Sequence, residues 1–268
     1  MTHAKAIFFG EHSVVYGKKG ITIPLVEMTV SASLISTDYV QERDEIISYI
    51  AKQCNIDKNT KIDIQSTIPV GRGLGSSAAL SVAIARANKC KNIEEIANKC
   101  EKFIHGNPSG IDVSQVLSNS PLLFSKEDGA MPLNFCLESY LLIIDTGIIG
   151  ITKDTVSRVK KNFSNNKQYI DDLGKITEEV IPYLLNKNIE KVGYYMDKAQ
   201  YLLSKIGVSH SNNDEVINIC KENGALGAKI TGGGDGGCCI SLSKTLDEAN
   251  KIQEALKQKG YSSWIISV

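Results

Sequence analysis

The chain has 268 residues, 42% of them hydrophobic and 22% charged, a size and composition that suit one large globular domain or two modest lobes and exclude a disordered chain. Its 30 Lys and Arg residues balance 30 Asp and Glu, so no global field draws in nucleic acid or an anionic membrane. No apolar run approaches the roughly 18 residues of a transmembrane helix, and the apolar AIFF stretch ended by Gly10 and Glu11 is too short for a secretory signal. The expected compartment is the cytoplasm.

The 7 cysteines contain no C-x-x-C pair, and the histidines are His3, His12, His105 and His210. That inventory supplies no zinc set, and the thiols read as reduced core filler.

In chain order, residues Ala4 to Phe9 predict a buried strand, and Leu25 to Ile35 a longer alternating one. Glu42 to about Gln53 has helical spacing through Ile46, Ile47 and Ile50. Next comes KIDIQSTIPVGRGLGSSAALSVAIARANK, which reads as strand, glycine loop and buried small-residue helix. Asn92 to Ile104 predicts a second helix, halted by His105-Gly106-Asn107-Pro108. Tyr140 to Asp145 predicts a buried strand, and Lys153 to Ile206 a helical stretch broken near Asn165 and Asn186. Asp214 to Glu222 and Leu246 to Lys257 read as helices. Ala228 to Ile230, Cys238 to Leu242 and Ser262 to Val268 read as strands, the first two flanking the cluster TGGGDGG. Strands in clusters between helices favour α+β over a doubly wound sheet.

Phosphate binding needs backbone N–H groups converging on one point, with little side chain in the way. A glycine loop feeding a helix N-terminus supplies both, and the helix dipole adds to them. Gly71-Arg72-Gly73-Leu74-Gly75-Ser76-Ser77 fits that requirement. No Lys-Ser/Thr pair follows the last glycine, so it is not a Walker loop, and a second helix in place of a strand argues against a Rossmann fingerprint. A tight turn with Ser76 as a helix cap is the alternative. Ser77 falls in the first helical turn, where its hydroxyl can reach a magnesium ion held against the same phosphates.

Glu101 lies near the end of the next helix, and Asp112 follows the break HGNPSGI. In phosphoryl transfer one acid can hold magnesium while another accepts the proton of an attacking hydroxyl. A lysine beside that second acid favours its charged form and eases alkoxide formation. Lys5, alone in an apolar strand, is the natural candidate, because a charge there needs a partner. A surface carboxylate and an edge-strand lysine are the alternative.

Four passages in order, KAIFFGEHSVVYG, PVGRGLGSSAAL, EKFIHGNPSGID and GVSH through GALGAKITGGGDGGCCISL, resemble the GHMP kinase family, and GEHSVVYG with HGNPSGID resemble its mevalonate-kinase branch. The resemblance implies a two-lobed α+β fold, with an N-terminal ATP-binding lobe over 1–135 like a ribosomal-protein domain and a ferredoxin-like lobe over 136–268. It also implies ATP-dependent phosphorylation of the primary hydroxyl of mevalonate, with ATP and Mg²⁺ as cofactors, no nucleic-acid or membrane partner, and a homodimer by family analogy. Asp112 matches the family's proposed catalytic base and Lys5 its active-site lysine. Glu11, His12 and Thr152 match substrate-side positions. Gly71, Arg72, Gly73, Leu74, Gly75 and Ser76 match the ATP loop, Gly233 and Gly234 the later glycine motif, and Ser77 with Glu101 the magnesium pair.

Two features depart from the pattern. Asp235 stands where relatives usually carry glycine, and reads as a loop-tip side chain in water. Few residues separate the early strands from Pro69, where relatives help hold adenine. The rival readings are another small-alcohol kinase of the family, a mevalonate-derivative kinase or decarboxylase, or a non-catalytic nucleotide-binding or metabolite-binding relative. Lys5 and Asp112 together argue against the decarboxylase, and Ser77, Glu101, Lys5 and Asp112 together argue against the non-catalytic one.

Overall fold

The computed structural model describes residues 1–106, 108–150 and 152–268. β1 (Thr2–Phe9) is buried along its whole length, as its unbroken apolar run demands. β2 (Gly20–Ser36) is long enough to serve three neighbours. It pairs with β1 through Ile21 to Val30 and with β3 (Thr60–Ser66) through its far end. Its first residues, Gly20 to Thr22, pair with β4 (Leu122–Ser125), which continues to β5 (Gly129–Pro132). All these pairings are antiparallel.

α1 (Glu45–Gln53) starts at Asp44, whose side chain accepts the Ile47 N–H. α2 (Ser76–Ala87) buries Ala78, Ala79, Ser81, Val82, Ala83, Ile84 and Ala85. Such small side chains let its backbone press against β1 and β2. α3 (Ile93–His105) packs beside it, and α4 (Ile111–Val116) comes next.

The second sheet uses β6 (Tyr140–Asp145), β7 (Gly227–Thr231), β8 (Cys238–Ser243) and β9 (Ser262–Ser267) in the spatial order β7-β8-β6-β9. Between β6 and β7 come α5 (Thr152–Lys161), α6 (Phe163–Leu185), α7 (Ile189–Lys205) and α8 (Ser211–Glu222), while α9 (Leu246–Gln258) joins β8 to β9. This antiparallel β-α-β-β-α-β order is ferredoxin-like, as expected of the C-terminal lobe.

The two sheets are stitched where the site lies. Thr231 Oγ1 donates to Ile7 O and accepts from Ile7 N, both at 2.9 Å, tying β7 to β1. Cys238 N donates to Arg72 O at 3.1 Å, tying β8 to the glycine loop. One apolar core runs through both, from Phe8 and Phe9 to Leu141, Ile143 and Ile240.

One expectation shifts, some short elements were not foreseen, and the reading of the cysteines holds. The first break in the long helical stretch falls at Asn162, not near Asn165, and Asn166 is buried inside α6. The short elements β4, β5 and α4 hold too few residues for periodicity to announce them. The cysteines are free, and five of the seven are buried. Among the described residues no helix is long and apolar enough to cross a membrane.

Candidate active site

A cleft of about 790 Å³ opens between the glycine loop, α3, α4, the start of α5 and the later glycine cluster. Lys5, buried to 2% exposure, reaches its floor from β1. Its Nζ lies 2.6 Å from Asp112 Oδ1 and donates to Gly73 O at 3.0 Å. The main chain repeats the link, Lys5 N donating to Leu74 O at 3.0 Å. One lysine therefore ties together strand, glycine loop and aspartate. Asp112 sits in the first turn of α4 and is about one-third exposed, so its carboxylate is open to a ligand.

Gly75 caps α2 at φ +70°, a left-handed conformation natural to glycine. A Cβ there would stand 2.9 Å from Lys5 Cγ. The glycine is thus required twice, by the turn and by the lysine beneath it. Gly71, Gly73, Gly75, Ser76 and Ser77 line the cleft, facing Gly232, Gly233 and Thr152. Loop N–H groups and the α2 N-terminus suit an anion.

The Ser77 hydroxyl donates to Glu101 Oε1 at 2.5 Å and lies 3.2 Å from His105 Nε2. Glu101 is 1% exposed, and its Oε2 is buried with no hydrogen-bond partner among the described residues. Burial first, then the nearby Asp112 charge, pushes its carboxyl up to about 7. A hard divalent cation takes oxygen ligands, and an orphaned carboxylate oxygen beside a hydroxyl fits that donor set. Among the described residues no group of three or more His, Cys, Asp or Glu side chains could hold a metal alone. An ion here would therefore need further oxygens, of the kind that phosphates bring.

His12 has φ 60°, rare for a residue with a Cβ. This places its ring against the later glycine cluster, with Nε2 2.9 Å from Gly233 O. A carbonyl only accepts, so Nε2 carries the proton. Burial lowers the His12 pKa to about 4, leaving a neutral ring whose Nδ1 is an acceptor.

Not every expected residue faces the cleft. Glu11 is fully buried and pairs with Lys229 Nζ, also fully buried. Burial pushes the Glu11 carboxyl up and the Lys229 ammonium down, against their mutual attraction. Glu11 thus stands behind His12 as a link to β7, out of a substrate's reach. Arg72 turns away to Asp145 at 2.9 Å, the Leu74 side chain is wholly in the core, and Gly234 packs on Val208 O. None of these four residues lines the cleft. Asp235 is not a lone side chain in water, because Arg158 holds its Oδ2 at 2.9 Å.

Sequence reasoning missed Lys229, although its signal matched that of Lys5, a single charge in an apolar strand. It also missed Tyr16, His105, Lys153 and Lys160 on the cleft wall. A second cavity of about 460 Å³ lies over α6. Its Lys18 and Lys19 already pair with Asp171 and Glu178, at 2.8 and 3.2 Å.

Two family models match the chain, the GHMP kinases N terminal domain over residues 38–119 and the GHMP kinases C terminal model over 180–262. Mevalonate kinase of Thermococcus sibiricus is 32% identical, the match covering 96% of this chain and 92% of that protein. Mevalonate kinase of Dictyostelium discoideum is 29% identical over 84% and 72%. Among solved structures, L. major mevalonate kinase in complex with R-mevalonate superposes with a TM-score of 0.87 at 24% identity, covering 99% and 94% of the two chains. Mevalonate kinase from methicillin-resistant Staphylococcus aureus gives 0.77 at 26%, covering 99% and 97%.

Proposed function

Because this chain belongs to the GHMP kinase family, we propose that it transfers the γ-phosphoryl group of ATP to the primary hydroxyl of mevalonate. The observation that carries the reading is the Lys5–Asp112 pair at 2.6 Å on the floor of a cleft whose wall is the glycine loop. Relatives spanning nearly the whole chain, and named for mevalonate, point to the acceptor.

In this reading the loop from Gly71 to Ser77 and the α2 N-terminus hold the nucleotide phosphates, with Gly232 and Gly233 opposite. Asp112 orients the acceptor hydroxyl and takes its proton as oxygen attacks phosphorus. Lys5 offsets charge on the attacking oxygen and the phosphoryl group, and its bond to Gly73 O keeps loop and base in register. A stabiliser so placed is commonly worth about 10²–10³-fold in rate. Ser77 and Glu101 would hold Mg²⁺, which supplies charge neutralisation at the phosphates when bound. His12 and Thr152, both beside Gly233, would hold the acceptor on the side of the later glycine cluster. We read residues 1–135 and 136–268 as the two lobes. Free cysteines suit a reducing compartment such as the cytoplasm.

An ADP-release assay across a panel of alcohols tests the reading. Mevalonate should show the highest kcat/KM, with dependence on a divalent cation. Equal or better turnover of galactose, homoserine or phosphomevalonate would overturn the acceptor assignment.

A further inference from the structure

We propose that Lys160, with the Tyr16 hydroxyl, receives the carboxylate of the acceptor. The inference rests on the mevalonate reading and adds to it the group that recognises the acid end of the substrate.

A carboxylate entering the cleft leaves water and needs a cation or donors in return. Much of the wall beyond the catalytic pair is apolar, formed by Val14, Val15, Ile104, Ile111 and Val156. Three lysines reach the cleft, Lys5, Lys153 and Lys160. Lys5 is already engaged by Asp112 and Gly73 O. Lys153 follows Thr152, whose hydroxyl abuts Gly233 at the phosphate end. Lys160 lies seven residues further along α5, about 10 Å at the helical rise, and so at the opposite end from the phosphates. Among the described residues it holds no ion pair or hydrogen bond.

A second, independent observation marks the same end. The Tyr16 ring lines the cleft, yet its hydroxyl is shielded from solvent and has no hydrogen-bond partner among the described residues. A buried donor left unmade is costly, which is the condition of a group whose partner arrives with a ligand. Tyr16 is fixed by stacking on Phe163, with centroids 4.7 Å apart and planes at 22°. Phe163 opens α6 three residues after Lys160, so the stack draws the phenol toward the end of α5 that carries the lysine. An ammonium and a phenol O–H flanking an apolar channel fit a carboxylate, with its reacting alcohol directed back toward Asp112.

Initial-rate kinetics at saturating ATP on mevalonate and on its neutral primary amide test the assignment. Lys160→Met keeps the aliphatic stem and should raise KM for mevalonate about tenfold to hundredfold, the range for a charge-assisted bond. The KM for the amide and the KM for ATP should move less than about twofold. Tyr16→Phe should raise KM for the acid severalfold, and the double variant should lose less than the product of the two. Lys153→Met should leave the acid-to-amide ratio unchanged. Thermal melts of each variant establish that it is folded. Equal losses on acid and amide, a shift confined to ATP, or the discrimination moving with Lys153 would each overturn the proposal. A wild-type protein inactive on mevalonate would overturn the functional reading as well, whereas an active one indifferent to Lys160→Met overturns this inference alone.

Discussion

Replacing Glu101 by Gln should make the protein more stable and nearly inactive at once. Glu101 is buried beside Asp112, and its carboxyl is raised from 4.5 to about 7. At about 1.36 kcal/mol per pH unit, keeping it ionised in the folded state costs about 3 kcal/mol. Because the folded pKa is the higher one, the native state binds this proton more tightly than the unfolded chain. The cost is absent below pH 4.5, grows as pH rises through 7, and is complete at pH 8. Gln keeps an oxygen for the Ser77 hydroxyl and carries no charge. The variant should therefore melt roughly 6 °C higher at pH 8, at about 2 °C per kcal/mol for a chain of this size, and level with wild type near pH 4.5. His12 works in the other direction. With its pKa lowered to about 4 by burial, it favours the folded state above pH 6.5 and loses that contribution as pH falls toward 4. The two slopes oppose one another in wild type, so the Gln variant alone should destabilise steadily on acidification. Circular-dichroism melts from pH 4.5 to 8, with kcat measured alongside, read both effects. A variant that melts at or below wild type at pH 8 would refute the argument that ionised Glu101 is held at a cost that a cation relieves.

Lys229→Met leaves the Glu11 carboxylate buried and unpaired, and should cost about 3–5 kcal/mol in urea unfolding. Adding Glu11→Leu should restore much of that loss; additive losses would contradict a direct pair. Asp235→Gly removes the roughly one-third-exposed partner of Arg158 at a left-handed backbone position that glycine tolerates. Stability should change by less than about 1 kcal/mol and KM for ATP by less than about twofold, and a large fall in KM would show that the acid repels nucleotide.

The sequence made the floor of the cleft legible for physical reasons. A lone lysine in an apolar strand requires a partner, and a glycine loop before a small-residue helix can approach an anion, so Lys5, Gly73 and Ser77 could be named as candidates beside the alternatives of an edge-strand lysine and a tight turn. Partners supplied from far along the chain were not. Glu11 looked substrate-facing because it adjoins His12, yet its partner Lys229 lies 218 residues away, and only the meeting of β1 and β7 brings them together. Arg72 and Leu74 sit within the loop motif, but their side chains point to Asp145 and into the core. Asp235 seemed to be a loop tip, because Arg158 approaches it from a helix that sequence cannot place beside it. The expected glycines other than Gly234 line the cleft, whereas the side chains of Arg72 and Leu74 answer to the fold.

The central claim is that Asp112, positioned by Lys5, takes the proton of the attacking hydroxyl. Single-turnover phosphorylation of mevalonate by Asp112→Asn, with nucleotide affinity measured in parallel, tests it most directly. The account predicts a fall in the chemical step of about 10²–10⁴-fold with ATP binding within a few-fold of wild type. A chemical step near the wild-type rate, or a loss explained entirely by weakened ATP binding, would contradict it.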